Sequence, residues 1–455
     1  MSKAFLLTRQ AQDSPNGIQL ELWFSSVNGP LQVFINQQRA VFFILQSSTV
    51  DVEKLLQHNH TFNRHIEISS LELKDFSFNP VAAVYCDSLQ LFYRFRDLLE
   101  QNNIRAFETD IRPTERYLTE RFITAPVNVN NPDSAQTLLN PAIKPDDYEP
   151  ELRLMSLDIE TAYDSNELFS IAYICAETQR VLMIGEPSSI KSLDNNTSIQ
   201  FVADERELLN TFIQQVKILD PDVFIGWNVI NFDFRFLQKK ASQLNIPFNI
   251  GRKNKAPVWR QSHNDNEHYF LLIPGRVVLD GIDTLKSATW QFPSFSLDNV
   301  ANALLNRRKL IQQKDNHDPL YKAKEIKRQF YQDKLALAKY NLEDCQLVLD
   351  IFAKAELVHF AIERARLTGL EMDRVGGSVA AFDNLYLPRL HRKGFIAPNI
   401  GDYSDGNSRL GGAPGGYVMD SRPGLYNSVL VLDYKSLYPS IIRTFRVDPY
   451  ARIAA

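Results

Sequence analysis

Between residues 1 and 120 the apolar residues recur in short runs separated by turn-forming residues. The runs IQLELWFSSV, PLQVFIN, AVFFIL and VAAVYCD each predict a short β-strand. LQLFYRFRDLLEQN follows them and predicts a helix. Residues 125–150, APVNVNNPDSAQTLLNPAIKPDDYEP, are rich in Pro, Asn and Asp and poor in periodicity, which predicts a linker. A new unit begins at Leu152, with strands LRLMSLDIE, LFSIAYIC and RVLMIG and the helix ERELLNTFIQQVKIL. A buried strand, DVFIGWN, and a second helix, DFRFLQKKASQL, come next. Three consecutive strands, then alternating helix and strand, predict a mixed sheet covered by helices. A helical stretch from about Arg328 to Arg366 closes the unit. The loop-rich residues 397–424 then precede a last strand, SVLVL, that leads into Asp433, a tight turn and the start of a helix.

The fold class is α/β, in an α+β multi-domain arrangement divided at 1–150, 151–366 and 367–455. Length agrees, because 455 residues exceed one ordinary domain. With 44% hydrophobic and 23% charged residues the chain can bury a large core. Cys86, Cys175 and Cys345 are far apart and fit buried reduced thiols in a cytoplasm. The apolar run in MSKAFLLTRQ is too short for a signal peptide, and no segment reaches membrane-spanning length, so a soluble protein with no membrane partner is expected.

Net charge is −4, which announces no nucleic-acid partner globally. Locally, residues 301–340 hold ten Lys/Arg against four acids. That excess fits either a solvated helix face or a surface tracking a phosphate backbone. Phe292 and Phe295, in QFPSFSLDNV, read either as core residues or as stacking partners for bases. His58, His60 and His65 lack flanking ligand patterns and read as surface residues.

Candidate chemistry lies in the carboxylates. Asp158 and Glu160 are two apart on a strand and share one face with Ser156 and Leu154, while Met155, Leu157 and Ile159 take the other. Asp233 sits just inside the helix after DVFIGWN. In LALAKYNLEDCQLVLDIF, Tyr340 and Asp344 are one turn apart. Leu335, Ala338, Leu342, Cys345, Leu349 and Phe352 form one apolar stripe of that helix, and Leu347, Val348 and Ile351 lie with the two polar residues. A helix apolar on both sides is buried, and an acid there needs a partner. Two divalent cations can clamp the attacking water and leaving oxygen of a phosphodiester, and they need several hard oxygen ligands from separate segments. Asp158, Glu160, Asp233 and Asp344 would serve, and Tyr340 could orient the water.

The stretches DIE at 158–160, N-x-x-x-F-D at 228–233 and Y-x-x-x-D at 340–344 resemble, in order, the three exonuclease motifs of family B DNA polymerases. DYKSLYPSII, from Asp433 to Ile442, resembles the first polymerase motif of that family, and ERYLTERFI at 115–123 is similar to its bacterial members. PGGYV at 414–418 resembles the Gly-Gly element joining the two activities, with Ala413 where a tyrosine is usual.

The resemblance implies a ribonuclease-H-like 3′→5′ exonuclease over 151–352 with two Mg²⁺ or Mn²⁺ ions. Asp158, Glu160, Asp233 and Asp344 would hold the metals and Tyr340 the water, with Asn228 and Phe232 shaping the single-strand pocket. It also implies that residues 301–340 face DNA. Asp433 would be a metal ligand of the polymerase site, and the Ser436, Leu437 and Tyr438 amides would cradle a triphosphate. Tyr438 would exclude a 2′-hydroxyl.

The second polymerase aspartate in a D-T-D turn and the K-x-x-x-N-S-x-Y-G fingers pattern are absent from these 455 residues. The expectation is therefore the N-terminal part of a longer enzyme, with an incomplete palm, that degrades single-stranded DNA but does not extend a primer. Implied partners are primer-template DNA, deoxynucleoside triphosphates in the full-length enzyme and a sliding clamp, in the cytoplasm at the bacterial nucleoid. A free-standing nuclease and a DNA-binding module with a vestigial metal site are the alternatives.

Overall fold

The computed structural model describes residues 2–58, 62, 65–131, 134–186, 191–192, 197–262, 268–311, 320–399 and 419–454. Asn-Gly turns at 16–17 and 28–29 fold the N-terminus into a meander. Both glycines take positive φ, +108° and +95°, which a Cβ would oppose. The strands are β1 (Ser2–Ser14), β2 (Gly17–Ser26) and β3 (Gly29–Gln38). β4 (Ala40–Leu45), β5 (Ile66–Lys74), β6 (Pro80–Cys86) and β7 (Ala106–Phe107) form a separate sheet of order β5-β6-β4-β7. Between them run α1 (Thr49–His58) and α2 (Leu89–Gln101), and α2 sets Phe92 and Phe95 against Phe42 of β4. β8 (Pro126–Val129), β9 (Thr137–Leu139) and β10 (Ile143–Pro145) return to the first sheet, giving β10-β8-β1-β2-β3-β9. Residues 125–150 are thus partly sheet and not only a linker, with Ser2–Phe5 antiparallel to Pro126–Val129. Strands of three or four residues are too short to show alternation in sequence.

Packing divides the chain into two compact units that alternate along it. Met1–Gln12, Gln19–Gln37 and Tyr117–Leu385 form one, and Asp13–Ile18, Gln38–Arg116 and Tyr386–Ala455 the other. In the second unit Glu108, 1% exposed, accepts hydrogen bonds from Arg116 Nη1 (2.6 Å) and the Ala397 amide (2.8 Å), with His391 Nε2 2.9 Å away. Burial alone would raise its pKa, but Arg116 and His391 outweigh it and hold the carboxyl at about 2, against 4.5 unfolded. A depressed carboxyl stabilises fully above the unfolded pKa and loses that contribution as pH falls from 4.5 toward 2. Glu108→Gln is therefore expected to cost about 3 kcal/mol at pH 7, in line with breaking a buried pair. Urea denaturation at pH 7 and pH 3 checks this: the gap between parent and variant should shrink at the lower pH.

The first unit also holds the sheet that carries the candidate site. Its strands are β11 (Leu154–Thr161), β12 (Leu168–Cys175), β13 (Thr178–Ile184), β14 (Lys191–Ser192), β15 (Thr197–Val202) and β16 (Val223–Gly226). After a hairpin of β17 (Val258–Gln261) and β18 (Tyr269–Leu272), β19 (Val277–Asp280) completes it. The order β14-β15-β13-β12-β11-β16-β19 is mixed, as the sequence predicts. β11 is antiparallel to β12 and parallel to β16, which is parallel to β19. The C-terminal ends of β11, β16 and β19 therefore share one edge.

The helices are α3 (Glu205–Leu219), α4 (Arg235–Gln243), α5 (Gly281–Ser287), α6 (Leu297–Leu305), α7 (Tyr321–Gln332), α8 (Lys334–Lys354) and α9 (Leu357–Thr368). The sheet's alternation explains its two covers. Met155, Leu157 and Ile159 pack with Leu208, Phe212 and Val216 of α3 and Leu237 of α4. Phe169, Ala172, Val181 and Met183 pack with Phe330 of α7 and with Leu337, Ala338 and Cys345 of α8. Each fully buried Val, Leu, Ile, Phe or Met side chain there contributes about 1.5–3 kcal/mol of transfer free energy. The single helical stretch expected from Arg328 to Arg366 is instead three helices, broken at Asp333 (φ −149°, ψ 69°) and at Glu356 (φ +51°). Asp333 caps α8 by accepting from the Ala336 amide at 3.1 Å. Leu335 departs from the expected stripe: it lies in the first turn of α8 and is half exposed.

The three cysteines are buried free thiols, and His58 and His65 are exposed. His60 lies outside the described residues. Among those described, no helix is long and apolar enough to cross a membrane.

The last expected strand, SVLVL at 428–432, is absent. Leu430, Val431 and Leu432 are each 89% exposed and belong to no sheet. A strand exists only by pairing, and these residues have no partner strand among the described residues.

Candidate active site

Asp158 and Glu160 project from the end of β11 toward α8, on the face opposite the Met155–Leu157–Ile159 core. α8 is tied to the sheet by polar contacts that fix its rotation. Ser156 Oγ donates to the Cys345 carbonyl (2.8 Å), and Cys345 Sγ donates to the Ala172 carbonyl (3.5 Å). Asn341, wholly buried, accepts from Ser170 Oγ (2.8 Å) and donates from Nδ2 to Asp158 Oδ2 (2.6 Å). That rotation points Asp344 at the two strand acids, so that carboxylate oxygens of Asp158, Glu160 and Asp344 all lie within 4.8 Å of one another.

Asp233 reaches the cluster from behind. It is buried, and its Oδ1 accepts from the Ile159 amide (3.0 Å), between the two strand acids. It does not fall within the 4.8 Å group. Its position comes from an irregular turn: β16 ends at Gly226, where a Cβ would meet Val229 Cβ at 2.6 Å and the Leu157 carbonyl at 2.9 Å, so only glycine fits. Ile230–Phe234 then forms a π-helical turn, closed by the Phe234 amide on the Val229 carbonyl (2.9 Å). Sequence expected Asp233 inside an ordinary helix; it sits in this π turn, a form that recurs at functional sites. Asn228 takes a left-handed φ of +57° and is exposed; its carbonyl accepts from the Phe232 amide (2.9 Å). Phe232 is 45% exposed.

Electrostatics follow from crowding. Burial, then Asp344, pushes the Asp158 carboxyl up to about 7, against Lys309 and Asn341. Burial and Asp158 also raise Glu160 and Asp233 well above the ordinary carboxylate range. Asp344 is also raised by burial, though Lys309 and Tyr340 hydrogen-bond it. Lys309 is the residue that sequence reading missed in this role. Counted there only among the basic residues of 301–340, it places its ammonium against Asp344 Oδ2 and 5.1 Å from the Tyr340 ring centroid. Asn341 was missed as well. Buried polar groups on a helix with two apolar sides were the available signal, and it was applied to Asp344 alone.

The acids fit divalent cations. Asp344 Oδ1 is buried with no hydrogen-bond partner, facing a cluster of hard oxygen donors that repel one another when ionised.

Much of the basic excess at 301–340 is spent internally. Arg307 pairs with Glu343 and Asp350, Arg308 with Asp298, Lys327 with Asp164 and Arg328 with Glu325. The polymerase-motif residues form no such site. Asp433 is exposed on irregular chain and belongs to no metal-holding group among the described residues. A helix does open at Leu437, running to Phe445, with Ser436 left-handed (φ +56°) before it and Tyr438 78% exposed. The 414–418 stretch and Ala413 lie outside the described residues.

Residues 104–300 match the exonuclease domain of family B DNA polymerases, and 376–449 match the family B polymerase itself. Residues 4–39 match the N-terminal segment of DNA polymerase II and 40–104 its insertion domain. DNA polymerase II of Escherichia coli (strain K12) is 45% identical over 98% of this chain and 55% of its own length. A DNA polymerase of Desulfurococcus sp. (strain Tok) is 26% identical over 89% of the chain and 48% of its own. The family B DNA polymerase of the archaeon Pyrobaculum calidifontis shares the fold, with a TM-score of 0.73 at 20% identity over 97% of the chain and 57% of that structure. The chain thus spans about half the length of these relatives. From its N-terminal segment through its exonuclease domain and into the polymerase match, it belongs to the family B DNA polymerases.

Proposed function

We propose that this chain is the amino-terminal part of a polymerase II-like family B DNA polymerase and hydrolyses single-stranded DNA from its 3′ end. The observation that carries this is the convergence of Asp158, Glu160 and Asp344 within 4.8 Å, with an orphaned Asp344 oxygen among them. Asp158, Glu160, Asp233 and Asp344 would hold two Mg²⁺ or Mn²⁺ ions. When bound, these supply charge neutralisation at the attacking and leaving oxygens of an in-line displacement.

The chain's own residues do the rest. Asn341 orients Asp158, and Lys309 and Tyr340 orient Asp344. Tyr340, whose phenol is pushed up by burial and by Asp344, stays protonated; with its one O–H given to Asp344, its oxygen can accept a hydrogen bond from the water. Asn228 and Phe232 would border the terminal nucleotide. Functionally the chain divides into an N-terminal domain (1–150), an exonuclease domain (151–366) and the start of a palm (367–455). In the whole enzyme Asp433 would bind metal and Ser436, Leu437 and Tyr438 a deoxynucleoside triphosphate. Primer-template DNA and a sliding clamp would be its partners at the bacterial nucleoid.

A 5′-labelled single strand incubated with the chain tests this. Stepwise shortening from the 3′ end is expected with Mg²⁺ and none with a chelator. Asp233→Ala should slow it by about 10³-fold. Equal cleavage by that variant would refute the assignment.

A further inference from the structure

The chain leaves α5 through a Schellman turn. The Trp290 amide donates to the Leu285 carbonyl and the Thr289 amide to the Lys286 carbonyl, both at 3.0 Å. The left-handed position is Thr289, φ +65°, where a β-branched side chain is strained and glycine would be relaxed. Trp290 follows at 38% exposure, then Phe292 and Phe295, both half-buried. The Trp290 and Phe292 rings lie 7° from parallel with centroids 6.0 Å apart, and Phe295 stands edge-on to Phe292 at 5.5 Å. The Lys286 ammonium is 5.3 Å from the Phe295 ring.

This group is fastened to the turn that bears Asp233. Trp227 Nε1 donates to the Phe295 carbonyl (2.9 Å), and Trp227 immediately precedes Asn228. Its indole also covers Gly281, the first residue of α5, where a Cβ would meet it at 2.7 Å. The aromatic group therefore stands at the same sheet edge as the carboxylates, where β11, β16 and β19 end.

We propose that Trp290, Phe292 and Phe295 form a stacking shelf for unpaired bases of a DNA strand, internal to its 3′-terminal nucleotide. The proposal rests on the exonuclease reading for its ligand. Aromatic faces stack any base, whereas bases within a duplex have no free face to offer, so the shelf takes unpaired strand regardless of sequence. Lys286 supplies the cation that a neighbouring phosphate needs.

Binding of fluorescein-labelled dT10 by the whole chain, in Ca²⁺ to hold DNA uncleaved, tests this. Trp290→Ala should weaken dT10 binding about tenfold, and Trp290→Phe should restore most of it. Thymidine 5′-monophosphate, which has no internal base, should bind Trp290→Ala and parent alike. Trp290→Ala binding dT10 as tightly as the parent would overturn the shelf, leaving the aromatics as a surface for a protein partner. Loss of the mononucleotide too would overturn it, because the residue then acts through the fold. A parent that binds dT10 through Trp290 in Ca²⁺ but fails to shorten it when Mg²⁺ replaces the Ca²⁺ sinks the exonuclease reading and leaves the shelf standing.

Discussion

The Asp158→Asn variant is expected to be a more stable metal-free protein and a nuclease slowed by about 10³-fold. The Asp158 carboxyl stands at about 7 in the folded chain and 3.8 unfolded, raised first by burial and then by Asp344. A raised carboxyl pKa means the folded state holds its proton longer, so stability falls as pH rises from about 4 to 7 and stays low above it. Ionised Asp158 therefore costs the metal-free fold about 4 kcal/mol at pH 8, by the shift alone. The substitution removes that cost, and the new amide oxygen still accepts from Asn341 Nδ2. Urea denaturation in a chelator should show the variant more stable at pH 8, with the two proteins converging at pH 4. Mg²⁺ should raise the midpoint of the parent by linkage and barely move that of the variant. A variant less stable than its parent at pH 8 would show that the cluster is not a source of strain.

How far this site was legible in sequence depends on what each residue needed. Asp158 and Glu160 were readable because strand periodicity alone decides that they share a face, and Asp344 because helix spacing placed it on a buried side. Asp233 was readable as a residue, but its π turn was not. That turn exists because Gly226 lets Val229 and Leu157 close on it, a contact between segments some 70 positions apart. The mixed sheet and its helical cover followed from pattern, whereas the strands at 126–129, 137–139 and 143–145 were too short to carry one. Lys309 was hidden for a related reason. Composition sees a lysine in a basic stretch, and only the folded position distinguishes it from the surface cations paired around it. SVLVL failed in the opposite direction: its pattern is that of a strand, yet pattern supplies no neighbour to pair with.

Replacing Lys309 with methionine should have the opposite sign to Asp158→Asn. The ammonium contacts Asp344 Oδ2 with its side chain 19% exposed, and the carboxylates of Asp344 and Asp158, together with Tyr340, hold its pKa well above 10.5 against burial. Methionine keeps most of the stem and removes the charge, leaving the buried acids without their internal cation. Breaking a buried pair from one side costs about 3–5 kcal/mol, so the metal-free variant should unfold at distinctly lower urea at pH 8. Two features make this more than a packing loss. Mg²⁺ should stabilise Lys309→Met more than it stabilises the parent, because a bound cation supplies what the ammonium did. Asp158→Asn should stabilise the Lys309→Met protein by distinctly more than the about 4 kcal/mol it gives the parent, because the ammonium no longer offsets the Asp158 charge, a coupling well outside the few tenths of a kcal/mol seen for independent sites. Additive effects would mean that Lys309 neutralises Asp344 alone. Strong coupling would mean that one ammonium balances the whole cluster, so that the fold is held together without metal by the residue that the metals would displace electrostatically.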